Sequence, residues 1–128
     1  MDPRVWGPHG WFFIETVILS IPENTTDTSP YIRFLQSLAD VLPCPGCQNE
    51  YSEYLMTHPI PTSREDLIAW VFTLHNTIRE RTGKAPRSIE SSIAYYKSQF
   101  TLSKSSRTWI WVLVILLIIG IGVYQLKK

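Results

Sequence analysis

Prolines at positions 22, 43, 59 and 61 cut the first half of the chain into stretches of helical length, and this punctuation limits the possible folds more than any other feature. Proline lacks an N–H and disfavours helical geometry in the residue before it, so a helix ends where it appears. Between the stops the apolar residues recur at helical spacing. After Trp6, Gly7 and Pro8, one face carries Trp11, Ile14, Ile18 and Ile21, and Pro22 ends the run. A polar loop follows to Ser29, which suits an N-cap with Pro30 at the first helical position; Ile32, Leu35, Leu38 and Leu42 form the next stripe. A third helix should begin at Cys44 and Cys47 and run to about His58. Ser63 with Asp66 resembles a capping box and opens a fourth helix, about Arg64 to Thr82, closed by Gly83. Leu67, Val71, Leu74 and Ile78 make its core stripe. Beside it Ile68, Phe72, His75 and Arg79 mix apolar, imidazole and guanidinium groups, unlike a bland face. A short fifth helix is expected from about Ser88 to Phe100. No alternating strand pattern or repeat occurs, so the fold class is all-α.

Two cysteines are present, Cys44 and Cys47, separated by Pro45 and Gly46. A disulfide-stapled scaffold would scatter several cysteines, and zinc would want four ligands where only His9, His58 and His75 remain, none in a tight pair. No metal is expected. A C-x-x-C standing alone points to redox chemistry. Pro45 suits the first helical position, which puts Cys44 at the N-cap and Cys47 at the third position, where unpaired N–H groups and the helix dipole favour thiolate. A thioredoxin-like fold would need strands around the pair, so a bound cofactor is the economical electron acceptor. Five Trp, six Tyr and five Phe are a heavy aromatic load for 128 residues; they could fill a core or stack on a flat ring system. A formal charge of +1 argues against nucleic acid as partner.

Residues 109–126, WIWVLVILLIIGIGVYQL, contain no charge and predict one C-terminal transmembrane helix, with Trp109, Trp111 and Tyr124 as interfacial anchors and Arg107, Lys127 and Lys128 on its flanks. Thr101 to Thr108 reads as a serine-rich, basic linker. The N-terminus carries no secretory signal pattern. The organisation expected is thus a helical domain over 1–100, a linker over 101–108 and a membrane helix over 109–126. It would be tail-anchored and single-pass, with the domain on the cytosolic side, where the sequon at Asn24 stays bare.

Three separated blocks carry a family resemblance: Trp6, Gly7 and Trp11; Leu42 and Pro43 before the cysteine pair; and Trp70, His75, Asn76, Ile78, Gly83 and Lys84. In this order and spacing the chain resembles the Erv/ALR flavin-linked sulfhydryl oxidases, in particular the minimal forms of large cytoplasmic DNA viruses, with a host or virion membrane as the implied setting. The resemblance implies a four-helix bundle with a short fifth helix, non-covalent FAD and a homodimer. It implies that Cys44 exchanges with a substrate thiol and Cys47 is the flavin-proximal sulfur. It places Gly7, Trp11, His75, Asn76, Ile78, Arg79, Lys84 and Tyr96 at cofactor-binding positions. The activity implied is oxidation of a dithiol protein, or of a thioredoxin-like relay protein, with electrons passing to molecular oxygen to give hydrogen peroxide. Glu15 stands where the family often has His, Ser20 and Ile21 near an expected Tyr, and Arg79 where a second Asn is usual; the distal shuttle cysteines of larger members are absent. A membrane-anchored structural or virion assembly protein on the same scaffold is the alternative, and a cofactor-free thiol exchanger a third.

Overall fold

The computed structural model describes the backbone of residues 1–126 and the side chains of residues 1–99, 109–119, 121 and 125. Five helices follow one another: α1 (Pro3–Leu19), α2 (Ser29–Val41), α3 (Pro45–Thr57), α4 (Arg64–Arg81) and α5 (Ile89–Leu126). They fall into two compact units, Met1–Ile89 and a second from Glu90 onward.

In the first unit α1 packs against α4 and α2 against α3. The two stripes of α4 are buried together over its first half, where Leu67, Ile68, Val71, Phe72 and Leu74 meet solvent hardly at all. Ile14 and Ile18 of α1, Ile21 beyond it, Leu35 of α2 and Tyr51 of α3 complete the core. Full burial of each such aliphatic side chain contributes about 1.5–3 kcal/mol. Two polar ties lock the ends of the helices to one another: Arg64 Nε donates to the Ile21 carbonyl at 2.9 Å, and Thr28 Oγ1 donates to the Thr62 carbonyl at 2.6 Å.

Helix starts follow their side-chain acceptors. Ser63 Oγ accepts from Asp66 N at 3.1 Å and donates to the Asp66 carboxylate at 2.6 Å. α1 begins at Pro3, earlier than Pro8 suggested, because Asp2 accepts from Arg4 N at 2.8 Å and supplies a cap upstream. Pro3 takes the first helical position, where a missing N–H is best tolerated, and Pro8 lies further inside, where it leaves the Arg4 carbonyl without its i→i−4 donor. α2 starts one residue earlier than expected, with Thr28 at the N-cap; its hydroxyl is committed to Thr62, and Asp27 instead accepts from Ser29 N at 2.9 Å.

The second unit differs from expectation. α5 is 38 residues long, not a short helix ending near Phe100, and its backbone continues through 101–108. The serine-rich composition suggested a linker, but no proline or glycine occurs between Ile89 and Ile119 to stop a helix. The predicted transmembrane helix is also corrected: among the described residues no helix is long and apolar enough to cross a membrane. Tyr124, Arg107, Lys127 and Lys128, the expected anchors, lie outside the described side chains. The single-pass tail anchor and the cytosolic orientation drawn from it fall with the helix.

Candidate redox and cofactor site

Cys44 and Cys47 are joined by a disulfide across the first turn of α3, their Cα atoms 5.1 Å apart. Cys44 is the N-cap, in extended backbone geometry, and its Sγ accepts from Cys47 N at 3.2 Å. The pair is half-buried. Once the disulfide opens, that N–H and the positive end of the helix dipole stabilise negative charge on sulfur. The turn before the pair is braced by Gln48, whose Nε2 donates to the carbonyls of Asp40 and Leu42, both at 2.9 Å. Cys44 N donates to Leu42 O at 2.8 Å. Gln48 was not singled out from the sequence; its position one turn after Cys44 was the available signal.

A second cluster forms where α1 meets α4. The rings of Trp11 and His75 stack with centroids 4.2 Å apart and planes 5° from parallel. His75 Nδ1 lies 2.6 Å from Glu15 Oε1, and the Glu15 side chain is 3 % exposed against 16 % for His75. Trp11 and Glu15 are one turn apart on α1, so the same face of the helix holds the imidazole by its plane and by its edge. Glu15 entered the sequence reading only as a departure from a family pattern. Its partner is distant in sequence, and no local spacing announces it.

The remaining predicted residues organise the segment after α4. Gly83 has φ +72°, the left-handed geometry that glycine adopts at lowest cost. Gly83 N donates to Glu80 O at 3.0 Å and Lys84 N to Arg79 O at 2.8 Å, a Schellman closure that sets where Lys84 leaves the helix. Asn76 grips the same segment: its Nδ2 donates to Arg87 O at 2.8 Å and its Oδ1 accepts from Arg87 N at 2.9 Å. Arg79 Nε donates to Ala85 O at 2.9 Å. Asn76 and Arg79, expected at cofactor positions, thus fasten residues 83–88 as a strap along α4. Ile78 is half-buried beside them, and the Lys84 side chain is exposed. Gly7 is buried on α1, with open space where a Cβ would stand. Tyr96 belongs to the second unit, on α5, where its ring meets Tyr95 edge-on at 5.4 Å.

The first unit therefore offers a flat stacked ring pair, a half-buried disulfide and the side chains of Asn76, Arg79 and Lys84. Among the described residues Trp6 Nε1 is buried without a hydrogen-bond partner, a donor whose desolvation a bound acceptor would offset. This set fits a planar, phosphate-bearing dinucleotide such as FAD, since rings stack on rings and cations meet phosphate oxygens. No group of metal-ligating side chains occurs among the described residues.

Fold and site define a class: an all-helical domain carrying an isolated C-x-x-C disulfide at a helix start together with a stacked aromatic platform. Residues 8–101 match the model of the Erv1 / Alr family, and the chain belongs to that family. A protein of Acanthamoeba polyphaga mimivirus, named as a probable FAD-linked sulfhydryl oxidase, is 36 % identical over 119 residues, which cover 85 % of this chain and 81 % of that protein. The mitochondrial FAD-linked sulfhydryl oxidase of Saccharomyces cerevisiae is 27 % identical over 86 residues, 65 % of this chain and 46 % of the yeast protein. Among solved structures, the FAD-binding domain of the yeast protein superposes with a TM-score of 0.65 at 22 % identity, covering 77 % of this chain and 93 % of that domain. The yeast core gives 0.64, covering 77 % and 83 %. These likenesses show the fold.

Proposed function

We propose that the chain is an FAD-linked sulfhydryl oxidase whose Cys44–Cys47 disulfide is the entry point for electrons from dithiol proteins. The observation that carries this is the disulfide capping α3 in a half-buried, strand-free setting, in the same unit as the Trp11–His75 platform. A substrate thiolate attacks Cys44 Sγ, the Cys44–Cys47 bond breaks, and its electron pair goes to Cys47 Sγ. The second thiolate of the substrate then attacks the substrate sulfur of the mixed disulfide and releases Cys44 as thiolate. The substrate leaves oxidised by two electrons and the cysteine pair is left reduced. The Cys47 N–H aimed at Cys44 Sγ stabilises that outgoing charge.

When bound, FAD supplies the two-electron acceptor for the reduced pair and hands the electrons to molecular oxygen, giving hydrogen peroxide. In the first unit Gly7, Trp11, His75, Asn76, Ile78, Arg79 and Lys84 would hold it: Trp11 and His75 as a platform, Gly7 by admitting close approach, Ile78 by packing. Asn76 and Arg79 act through the strap that places Lys84. The match over 8–101 supports a catalytic domain ending near residue 100. In this reading the dithiol comes from a separate protein, either the final substrate or a thioredoxin-like relay, Cys44 and Cys47 being the two cysteines of this sequence. Assembly as a homodimer belongs to the same proposal and is supported by the exposed apolar side chains Val5, Phe12 and Phe13 on α1.

The full chain purified without added cofactor should be yellow with a flavin spectrum and should consume oxygen when given a dithiol. A colourless chain that FAD does not reconstitute overturns the reading. Cys47→Ser should keep the flavin and lose oxygen uptake.

A further inference from the structure

We propose that Glu15 is a positioning residue of the flavin site, whose buried carboxylate holds a proton on His75 Nδ1 and so decides what Nε2 presents to the cofactor. This rests on the FAD reading above. Glu15 is 2 % exposed and its Oε1 lies 2.6 Å from His75 Nδ1, a direct hydrogen bond at the short end of the nitrogen–oxygen range. With Glu15 Oε1 as the acceptor, the hydrogen in that bond sits on Nδ1. The bond made by one ring nitrogen sets the state of the other. Nε2 is therefore the ring nitrogen left to face a ligand.

Two constraints make this arrangement specific. The Trp11 ring, 4.2 Å away and 5° from parallel, fixes the imidazole plane. Glu15 fixes rotation within that plane, because turning the ring over would replace Nδ1 by a carbon at the carboxylate and leave a buried charge without that donor. Both constraints come from one face of α1 and act on one residue of α4. The outcome is an imidazole held in plane, rotation and tautomer before any ligand arrives, which is the property a preorganised site needs.

The test uses the full chain with 15N-labelled histidine and long-range proton–nitrogen correlation spectra, the His75 signals being assigned by their loss in His75→Gln. His75 Nδ1 should carry hydrogen in the wild type, with or without FAD. Glu15→Leu should release the tautomer toward Nε2–H and weaken FAD binding by about tenfold or more, the effect of losing a hydrogen bond to a charged group. Glu15→Gln, which keeps an acceptor oxygen, should restore Nδ1–H and bring affinity back to within about threefold. A bare Nδ1 in the wild type overturns the proposal whether or not the variants fold, as does a Glu15→Leu chain with unchanged tautomer and FAD affinity. A wild type that shows Nδ1–H but takes up no FAD overturns the oxidase reading and leaves the Glu15–His75 assignment standing.

Discussion

Tyr51 is buried on α3, and its hydroxyl donates to the Leu35 carbonyl of α2 at 2.9 Å. Burial pushes the phenol well above its ordinary value of 10.0, and the nearby Tyr54 adds to the shift. The folded state thus holds its proton more tightly than the unfolded chain does. Stability from this source is whole below pH 10.0 and is lost as pH rises from there through the higher folded value. Tyr51→Phe should cost about 1 kcal/mol at neutral pH and flatten the alkaline fall in stability, read from denaturation midpoints between neutral and strongly alkaline pH. A harsher loss is expected at Glu15's partner: His75→Ala removes the ring that faces a buried carboxylate, and chemical denaturation should show about 3 kcal/mol less stability. What the sequence made legible at this scale was the cysteine pair, because Pro45 sets the helix start and the start sets the sulfurs. The Glu15–His75 bond was not legible, since a hydrogen bond between two helices leaves no mark on the spacing within either.

At the scale of elements, caps decide boundaries. Ser63 both accepts from and donates to Asp66, so Ser63→Ala should destabilise the chain by about 1 kcal/mol, measured as a shift in denaturation midpoint. The strap at 83–88 offers a sharper test. Asn76→Ala removes both bonds to the Arg87 backbone, and amide exchange at Arg87 should accelerate about fivefold or more, the equivalent of about 1 kcal/mol. If exchange there is unchanged, Asn76 does not hold the strap. Ser63, Cys44 and Gly83 were all readable as punctuation, because each acts on backbone groups within a few residues. The start of α1 lies upstream of Pro8 because Asp2 caps it, and α5 continues through the serine-rich stretch because no helix breaker stands there. Asn76 stood out in the sequence as part of a motif, but its partner lies across a loop, so its role as a fastener was not legible.

For the molecule as a whole, a ligand that binds only the folded chain stabilises it by mass action. FAD at a hundred times its dissociation constant should add about 2.7 kcal/mol and raise the melting temperature by several degrees; no rise at saturating FAD would contradict a cofactor site in the folded chain. The sequence by itself determined the all-helical class, the order of the first four helices, the cysteine pair at the start of the third and the family, because these rest on short-range rules: helical period, proline stops, caps and the spacing of a few motif residues. Only the tertiary structure decided that α1 pairs with α4, that Glu15 and Trp11 together hold His75, and that Asn76 and Arg79 fasten the strap bearing Lys84. The physical reason is common to all three. Side chains of different elements meet only after packing has chosen the relative rotation of the helices, and that choice is made by the buried surface of the whole unit, not by any local stretch of chain.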